Sequence, residues 1–567
     1  MNGINRSKRS GGLCIVSIAI IAILLALFAP HFSNAQAAAP DPRFGAVEAF
    51  YDPHAASDLN LGWERILFYW AELERSGPND EWNIFQVQDS WLEDAAAHGR
   101  QVVGLIENVP AWATDGAPGS GLPRGLYLPI DDPNNLWANF MRTLVKRYAG
   151  RVNHWIIWNE PDISPPADGV QFDGTPADYY QLVKVAYQVA KRENPNAVIH
   201  LAGLTYYHDQ RYLQRFLNEA KKDPTAAANH DYFDVATLHI YFTSDEVYNV
   251  AQIIRSTLRL NGQSQPVWIN ETNAAPSSDP LNPWRAPTWI VSLDQQASYL
   301  VHSFALGLAA GAERIAVYKL IDIPTYPTGF PAYGLIRADG SQRPAYAAMK
   351  VITTYFRDTR SARLIRSGST DIVTLNRGAQ TTRIAWARSS ATTIVSLPAF
   401  SQQATLISLD GSTQAIAAIN NQYRLTLPGA KCNDPLHGCA IGGAPIILVE
   451  NAPSNSGGPA VIVNTVTPSA PCLECSVTAD PANRPTQTPI STSTPQPSPT
   501  ASATPTFTTS PTFTLEPTST ATAAPTPTAT PVAAAASTDS TISPLALGAI
   551  SALVLIVIVL RVKRSSV

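Results

Sequence analysis

The chain has 567 residues, too many for one ordinary domain and enough for a large barrel with a smaller module. Charge is nearly balanced, with 40 basic against 44 acidic side chains and a net charge of −4. No basic face or long basic run exists, which argues against nucleic acid as a partner. Aromatic residues make up 9%, with 12 Trp and 20 Tyr against 3 Met. Such a composition suits an ordinary core and a sugar site equally, so the motifs must decide.

The N-terminus reads as a secretory signal over residues 1–37. Arg6, Lys8 and Arg9 precede an apolar run over 13–29, and Ala35-Gln36-Ala37 offers a cleavage site. An uncleaved anchor is the alternative. From 41 to 355, short β-rich runs alternate with helical patterns. The runs are "FGAVEAF", "GWERILF", "QVVGLIE", "VNHWIIW", "AVIHLAGL", "FDVATLHI", "PVWIN" and "RIAVYKL". Their near-continuous apolar character is what parallel strands covered on both faces require. Asp132-Pro133 predicts one helix start, with Gly150 as its end, and Thr175-Pro176 with Asp178 predicts another. Eight such units imply a closed (β/α)8 TIM barrel of the α/β class. A doubly wound open sheet would call for a glycine-rich turn after its first strand, and none is present.

Residues 360–452 hold short alternating runs between Gly, Asn, Asp and Ser, the pattern of a small antiparallel β-sandwich. Cys432 and Cys439 are spaced to close a small loop in an exported, oxidising compartment. Cys472 and Cys475 read as a local disulfide, a redox pair or half of a metal site, with the disulfide favoured. Residues 453–540 form a Pro/Thr/Ser-rich stalk, too polar to bury a core. Residues 541–560 read as a transmembrane helix, since 19 uncharged residues approach the ~20 that span a bilayer. Arg561, Lys563 and Arg564 place the tail, 561–567, in the cytoplasm and the rest outside. The expected location is therefore the cell surface, with the barrel outside the membrane that anchors it.

Functional groups of such barrels sit where strands end. Strand four ends in Asn159-Glu160 and strand seven in Asn270-Glu271. Strand six ends in His239 and Tyr241, strand two carries Arg65, and strand eight Tyr318 and Lys319. Two carboxylates across one mouth are what glycoside hydrolysis needs, one protonated and one ionised. Arg65 and Tyr241 are suited to keep Glu271 ionised. Arg65 has Glu64 and Glu48 as rival partners, and His239 has the rival role of a satisfied core histidine. Trp112, Trp284 and Trp289 fall in loops at this face, where they either stack on sugar rings or pack the rim. Glu107, ending strand three, has no assigned role. No metal-ligand cluster or phosphate loop is present in the sequence, and no cofactor is expected.

With these motifs the sequence resembles the clan of retaining glycoside hydrolases with (β/α)8 barrels, which includes cellulases, β-xylosidases and α-L-iduronidases. The resemblance covers 41–355 plus the attached β-domain. It implies that Glu160 of "WNEP" is the acid/base, that Glu271 is the nucleophile, and that Asn159 contacts the sugar 2-hydroxyl. His239, Tyr241 and Arg65 match the supporting positions. Many relatives end strand eight with a tryptophan beneath the innermost sugar. This chain instead carries "AVYKLID", and a lysine there suggests pairing with an acidic sugar. The reaction expected is retaining hydrolysis of extracellular poly- or oligosaccharides. A non-catalytic surface sugar-binding or adhesion protein, and a transglycosylase of envelope glycans, are the alternatives.

Overall fold

The computed structural model describes residues 39–454, apart from 79–80, 166, 168, 286, 324–328 and 330, together with 462–465. The expected signal segment, stalk, transmembrane helix and tail, and the pair Cys472/Cys475, lie outside the described residues. Among the described residues, no helix is long and apolar enough to cross a membrane.

Eight parallel strands close into a barrel in sequence order: β1 (Asp41–Val47), β2 (Leu61–Tyr69), β3 (Gln101–Glu107), β4 (His154–Ile157), β5 (Val198–Leu204), β6 (Val235–Tyr241), β7 (Val267–Asn273) and β8 (Arg314–Val317). Each is followed by a helix: α1 (Pro53–Asp58), α2 (Asp89–Ala97), α3 (Leu136–Tyr148), α4 (Pro176–Glu193), α5 (Tyr212–Ala220), α6 (Ser244–Leu260), α7 (Leu293–Ala310) and α8 (Pro344–Tyr355). Alternation along the strands divides two cores. Trp63, Val103, Leu105, Ile156, Val235, Trp268 and Ala316 fill the barrel interior. Neighbours of opposite parity, such as Ile66, Ile106, Leu238 and Ile269, pack outward against the helices.

The helix starts follow capping chemistry. Thr175 caps α4 through a capping box with Asp178, as its sequence predicts. The start of α3 differs from expectation. Asn135, not Asp132, is the cap, because the Asn135 side chain accepts from Ala138 N at 3.0 Å and donates to Leu128 O at 2.9 Å. Asp132 instead closes a turn with Asn134.

Beyond α8 lie two antiparallel sheets. One has six strands in the order β14-β13-β16-β11-β10-β9, and the other three in the order β15-β12-β17. Their ranges are β9 (Ser361–Ser367), β10 (Thr370–Asn376), β11 (Thr381–Ala387), β12 (Thr393–Pro398), β13 (Gln403–Ile407), β14 (Thr413–Ala417), β15 (Gln422–Leu427), β16 (Ile446–Glu450) and β17 (Ile462–Thr465). Ile372, Ala385, Val395, Leu397, Tyr423, Leu425 and Leu448 form a core of their own. The opposite parity of the larger sheet, including Val373, Ile384, Trp386 and Ile447, joins the outer core of the barrel. This explains α7. It is buried almost all round, a pattern that a helix covered on both sides requires. His302 of α7 stacks on Trp386 of β11 with ring centroids 4.4 Å apart.

Candidate active site

The middle of β2, the loop just past β4 and the C-terminal ends of β6 and β7 bring Arg65, Glu160, His239, Tyr241 and Glu271 together. Glu271 faces the lumen because β7 holds one extra residue. Leu238 of β6 pairs with Ile269, yet His239 pairs with Glu271, and β8 shows the same slip. Trp268 points into the barrel and Ile269 outward. Strict alternation would send Asn270 inward and Glu271 out into the helix layer. The bulge at Asn270 reverses this, a recurrent device for aiming a side chain. Thr272 then faces outward, where its hydroxyl meets Tyr299 of α7 at 3.0 Å.

Glu160 is aimed by a different device. Trp158 and Glu160 both adopt left-handed backbone, with φ of 71° and 42°. This conformation costs on the order of 1–2 kcal/mol per non-glycine residue, so the surroundings must hold it. They do so from both sides. The Trp158 indole donates to Gln171 O at 2.6 Å. Asp162, just past Pro161, accepts from Thr205 N, Thr205 Oγ1 and Tyr206 N in the loop after β5.

The two carboxylates have contrasting environments. Glu271 forms an ion pair with Arg65 and accepts a hydrogen bond from the Tyr241 hydroxyl. His239 Nδ1 lies 3.5 Å from its second oxygen. Burial acts to raise the Glu271 carboxyl, but Arg65, His239 and Tyr241 outweigh it and hold it below the ordinary value. Tyr241 is pushed well up by burial and by Glu271, so it stays a hydroxyl donor. Among the described residues, no Arg or Lys pairs with Glu160. Its partner is His239 Nδ1 at 2.6 Å. Burial alone would lower His239, but Glu271 and Glu160 raise it overall. The His239 ring has room only because Gly203 stands opposite, where a Cβ would come within 2.0 Å of Nε2.

One oxygen or nitrogen from each of Glu160, His239 and Glu271 lies within 4.8 Å of the others. Such a trio also has the makings of a cation site. Arg65, already against Glu271, puts a permanent positive charge where a metal would sit, so the set fits a proton-handling site better than a metal centre.

The rim answers the remaining expectations. Arg65 pairs with neither Glu64 nor Glu48: Glu64 accepts from Arg100 at 3.2 Å and Glu48 from Lys319 at 2.5 Å. The bond to Glu48 ties the Lys319 ammonium across β1 and β8. Asn159 Nδ2 donates to Gln171 Oε1 at 2.9 Å. Trp112 packs edge-on to Trp70, and its indole donates to Glu74 O at 2.9 Å, so it serves the rim between β2 and β3. Trp289 is sandwiched, stacked on Phe242 on one side and on His437 of the β-domain, 3.5 Å away, on the other. Neither ring face is left for a sugar. Trp284 meets Phe242 edge-on. Tyr318 lies edge-on to Tyr241 and to Tyr333.

Sequence reading missed Tyr69, Tyr333 and His437, and gave Glu48 only as a rival partner of Arg65. Glu48 follows β1 and Tyr69 ends β2, so strand position was their signal. Tyr333 and His437 come from loops and had none.

Fold and site together form a (β/α)8 barrel with paired carboxylates at its mouth. Comparison agrees: residues 130–286, spanning α3 to the loop past β7, match the family model described as the glycosyl hydrolase catalytic core. Among solved structures, a family 39 glycoside hydrolase from the gut symbiont Bacteroides cellulosilyticus WH2 is similar at 17% identity and a TM-score of 0.54, over 72% of this chain and 81% of that one. A family 30 endoxylanase from Clostridium papyrosolvens C71 is similar at 12% identity and a TM-score of 0.50, over 73% and 97%. At these identities the likeness is one of fold. No curated protein matches the sequence.

Proposed function

We propose that the protein is a retaining glycoside hydrolase of extracellular poly- or oligosaccharides, in which Glu271 is the nucleophile and Glu160 the acid/base. The observation that carries this reading is the carboxylate pair: oxygens of Glu160 and Glu271 within 4.8 Å, Glu271 held by Arg65 and Tyr241 and Glu160 by His239. Retaining enzymes place the two groups ~5–5.5 Å apart, and inverting ones ~6.5–9.5 Å apart to admit a water.

Each group then has one task. Ionised Glu271 attacks the anomeric carbon, and the glycosidic C–O bond breaks as the new C–O bond forms. Glu160 gives its proton to the departing oxygen. In the second step Glu160 takes a proton from water, which displaces Glu271 and restores the enzyme. His239, hydrogen-bonded to Glu160 and close to Glu271, fixes the direction of the Glu160 carboxyl through both steps. Asn159 is suited to the sugar 2-hydroxyl. Export, and anchoring by the 541–560 segment, is part of the same proposal and rests on the sequence pattern.

Glu271→Ala is expected to lower turnover of an activated aryl glycoside by at least ~10³-fold, with partial recovery on adding azide. Full activity of that variant without azide would exclude Glu271 as nucleophile.

A further inference from the structure

At the strand ends of the barrel mouth, most charged groups described pair with one another. Glu48 has Lys319, Glu271 has Arg65 and Tyr241, and Glu160 has His239. Glu107 ends β3 with the parity of Val103 and Leu105, whose side chains fill the barrel interior. Its carboxyl therefore faces the lumen, next to Tyr69 in the register of β2. Its electrostatic neighbours are Arg65, Glu271, Glu160 and His239. Among the described residues, no hydrogen bond or ion pair reaches this half-buried carboxyl. Burial pushes it up to about 7, with Glu271 and Glu160 adding and Arg65 and His239 opposing. An unpaired polar group in such a place costs stability unless a ligand satisfies it.

The ligand must bring donors, because the two fixed cations nearby are engaged: Arg65 by Glu271 and Lys319 by Glu48. Sugar hydroxyls supply such donors. A sugar carboxylate would instead meet Glu107, Glu160 and Glu48, while Arg65 and Lys319 are each already paired with a carboxylate of the protein. We propose that Glu107 is a specificity-determining residue of the innermost sugar subsite, taking hydrogen bonds from hydroxyls of a neutral sugar and excluding sugars that carry a carboxylate. This rests on the glycosidase reading above and narrows it, since it speaks against uronic acids.

The test is Glu107→Gln, which keeps shape and removes charge, assayed on aryl glycosides of neutral sugars and on the matching uronides, in both anomeric configurations. Wild type is expected to favour the neutral member by at least ~100-fold in kcat/KM. In the variant, kcat/KM on the neutral member falls ~10-fold or more and that on the uronide rises, so the ratio collapses. Glu107→Ala reads out the same ratio if the glutamine variant folds poorly. A ratio unchanged within about threefold in an active variant, or a wild-type preference for the uronide, would overturn the role of Glu107. Turnover of no glycoside at all by wild type would overturn the glycosidase reading itself, so the two failures are distinguishable.

Discussion

A carboxylate ending an apolar strand is costly unless something receives it. Glu160 and Glu271 have defined partners, whereas Glu107 is held at a cost that the folded state bears. The sign of that cost fixes its pH dependence. The folded-state value of Glu107, about 7, lies above the ordinary 4.5, so the folded protein holds a proton that the unfolded chain releases. Stability is therefore unaffected below pH 4.5 and is lost as pH rises from there through 7. At ~1.4 kcal/mol per tenfold change in acidity, the loss is on the order of 3 kcal/mol by pH 8. Glu107→Gln is expected to be more stable than wild type at pH 8 by up to about that amount and to match it at pH 4, as urea unfolding would measure. Equal stability at both values would mean that Glu107 finds a partner. At this scale the sequence was most legible where a motif and a strand end coincide, as at "WNEP", "INE" and "HIY". It was least legible for Lys319 and Trp289, because their partners, Glu48 and His437, come from the opposite end of the barrel sequence, brought alongside only when β1 and β8 close the barrel, and from another domain.

Among the elements, β7 matters most. Its run was readable as apolar, but it extends to Asn273, past the expected end at Asn270. The extra residue at Asn270 has no signal in an alternating pattern, since a bulge is defined by the neighbouring strands and not by its own chain. Asn270 is fully buried. Deleting Asn270 is expected to turn Glu271 into the helix layer and to lower activity as far as Glu271→Ala does. Asn270→Ala keeps the bulge and is expected to stay within about tenfold of wild type. Kinetic assay of both variants checks this, and a deletion variant that retains activity would show that the slip does not aim Glu271. The helix starts were readable where a capping box existed, as at Thr175, and misplaced where two turn-forming residues competed, as at Asp132 and Asn135.

For the described molecule as a whole, the barrel and the β-domain share one core. α7 has the barrel on one face and β10, β11 and β16 on the other, and Asp245 of α6 takes ion pairs from Arg366 and Arg388. A disulfide joins Cys432 to Cys439, closing the loop whose Asp434 accepts from Ile290 N at 2.8 Å, next to Trp289. The two parts are therefore expected to melt in a single calorimetric transition, and two separated transitions would mean that α7 does not couple them. The β-domain itself was legible from its short alternating runs. Its role as the second cover of α7 was not, because an all-apolar helix does not say which element will cover it.

The central claim is that Glu271 is the nucleophile of a double displacement. The most direct measurement is the anomeric configuration of the glycosyl azide formed when Glu271→Ala turns over an activated aryl glycoside in the presence of azide, read by NMR. With the nucleophile gone, azide enters from the face that Glu271 occupied while Glu160 remains in place. The account requires a single displacement, giving a glycosyl azide of configuration opposite to the substrate. A product of unchanged configuration, or rescue by azide in Glu160→Ala but not in Glu271→Ala, would contradict it.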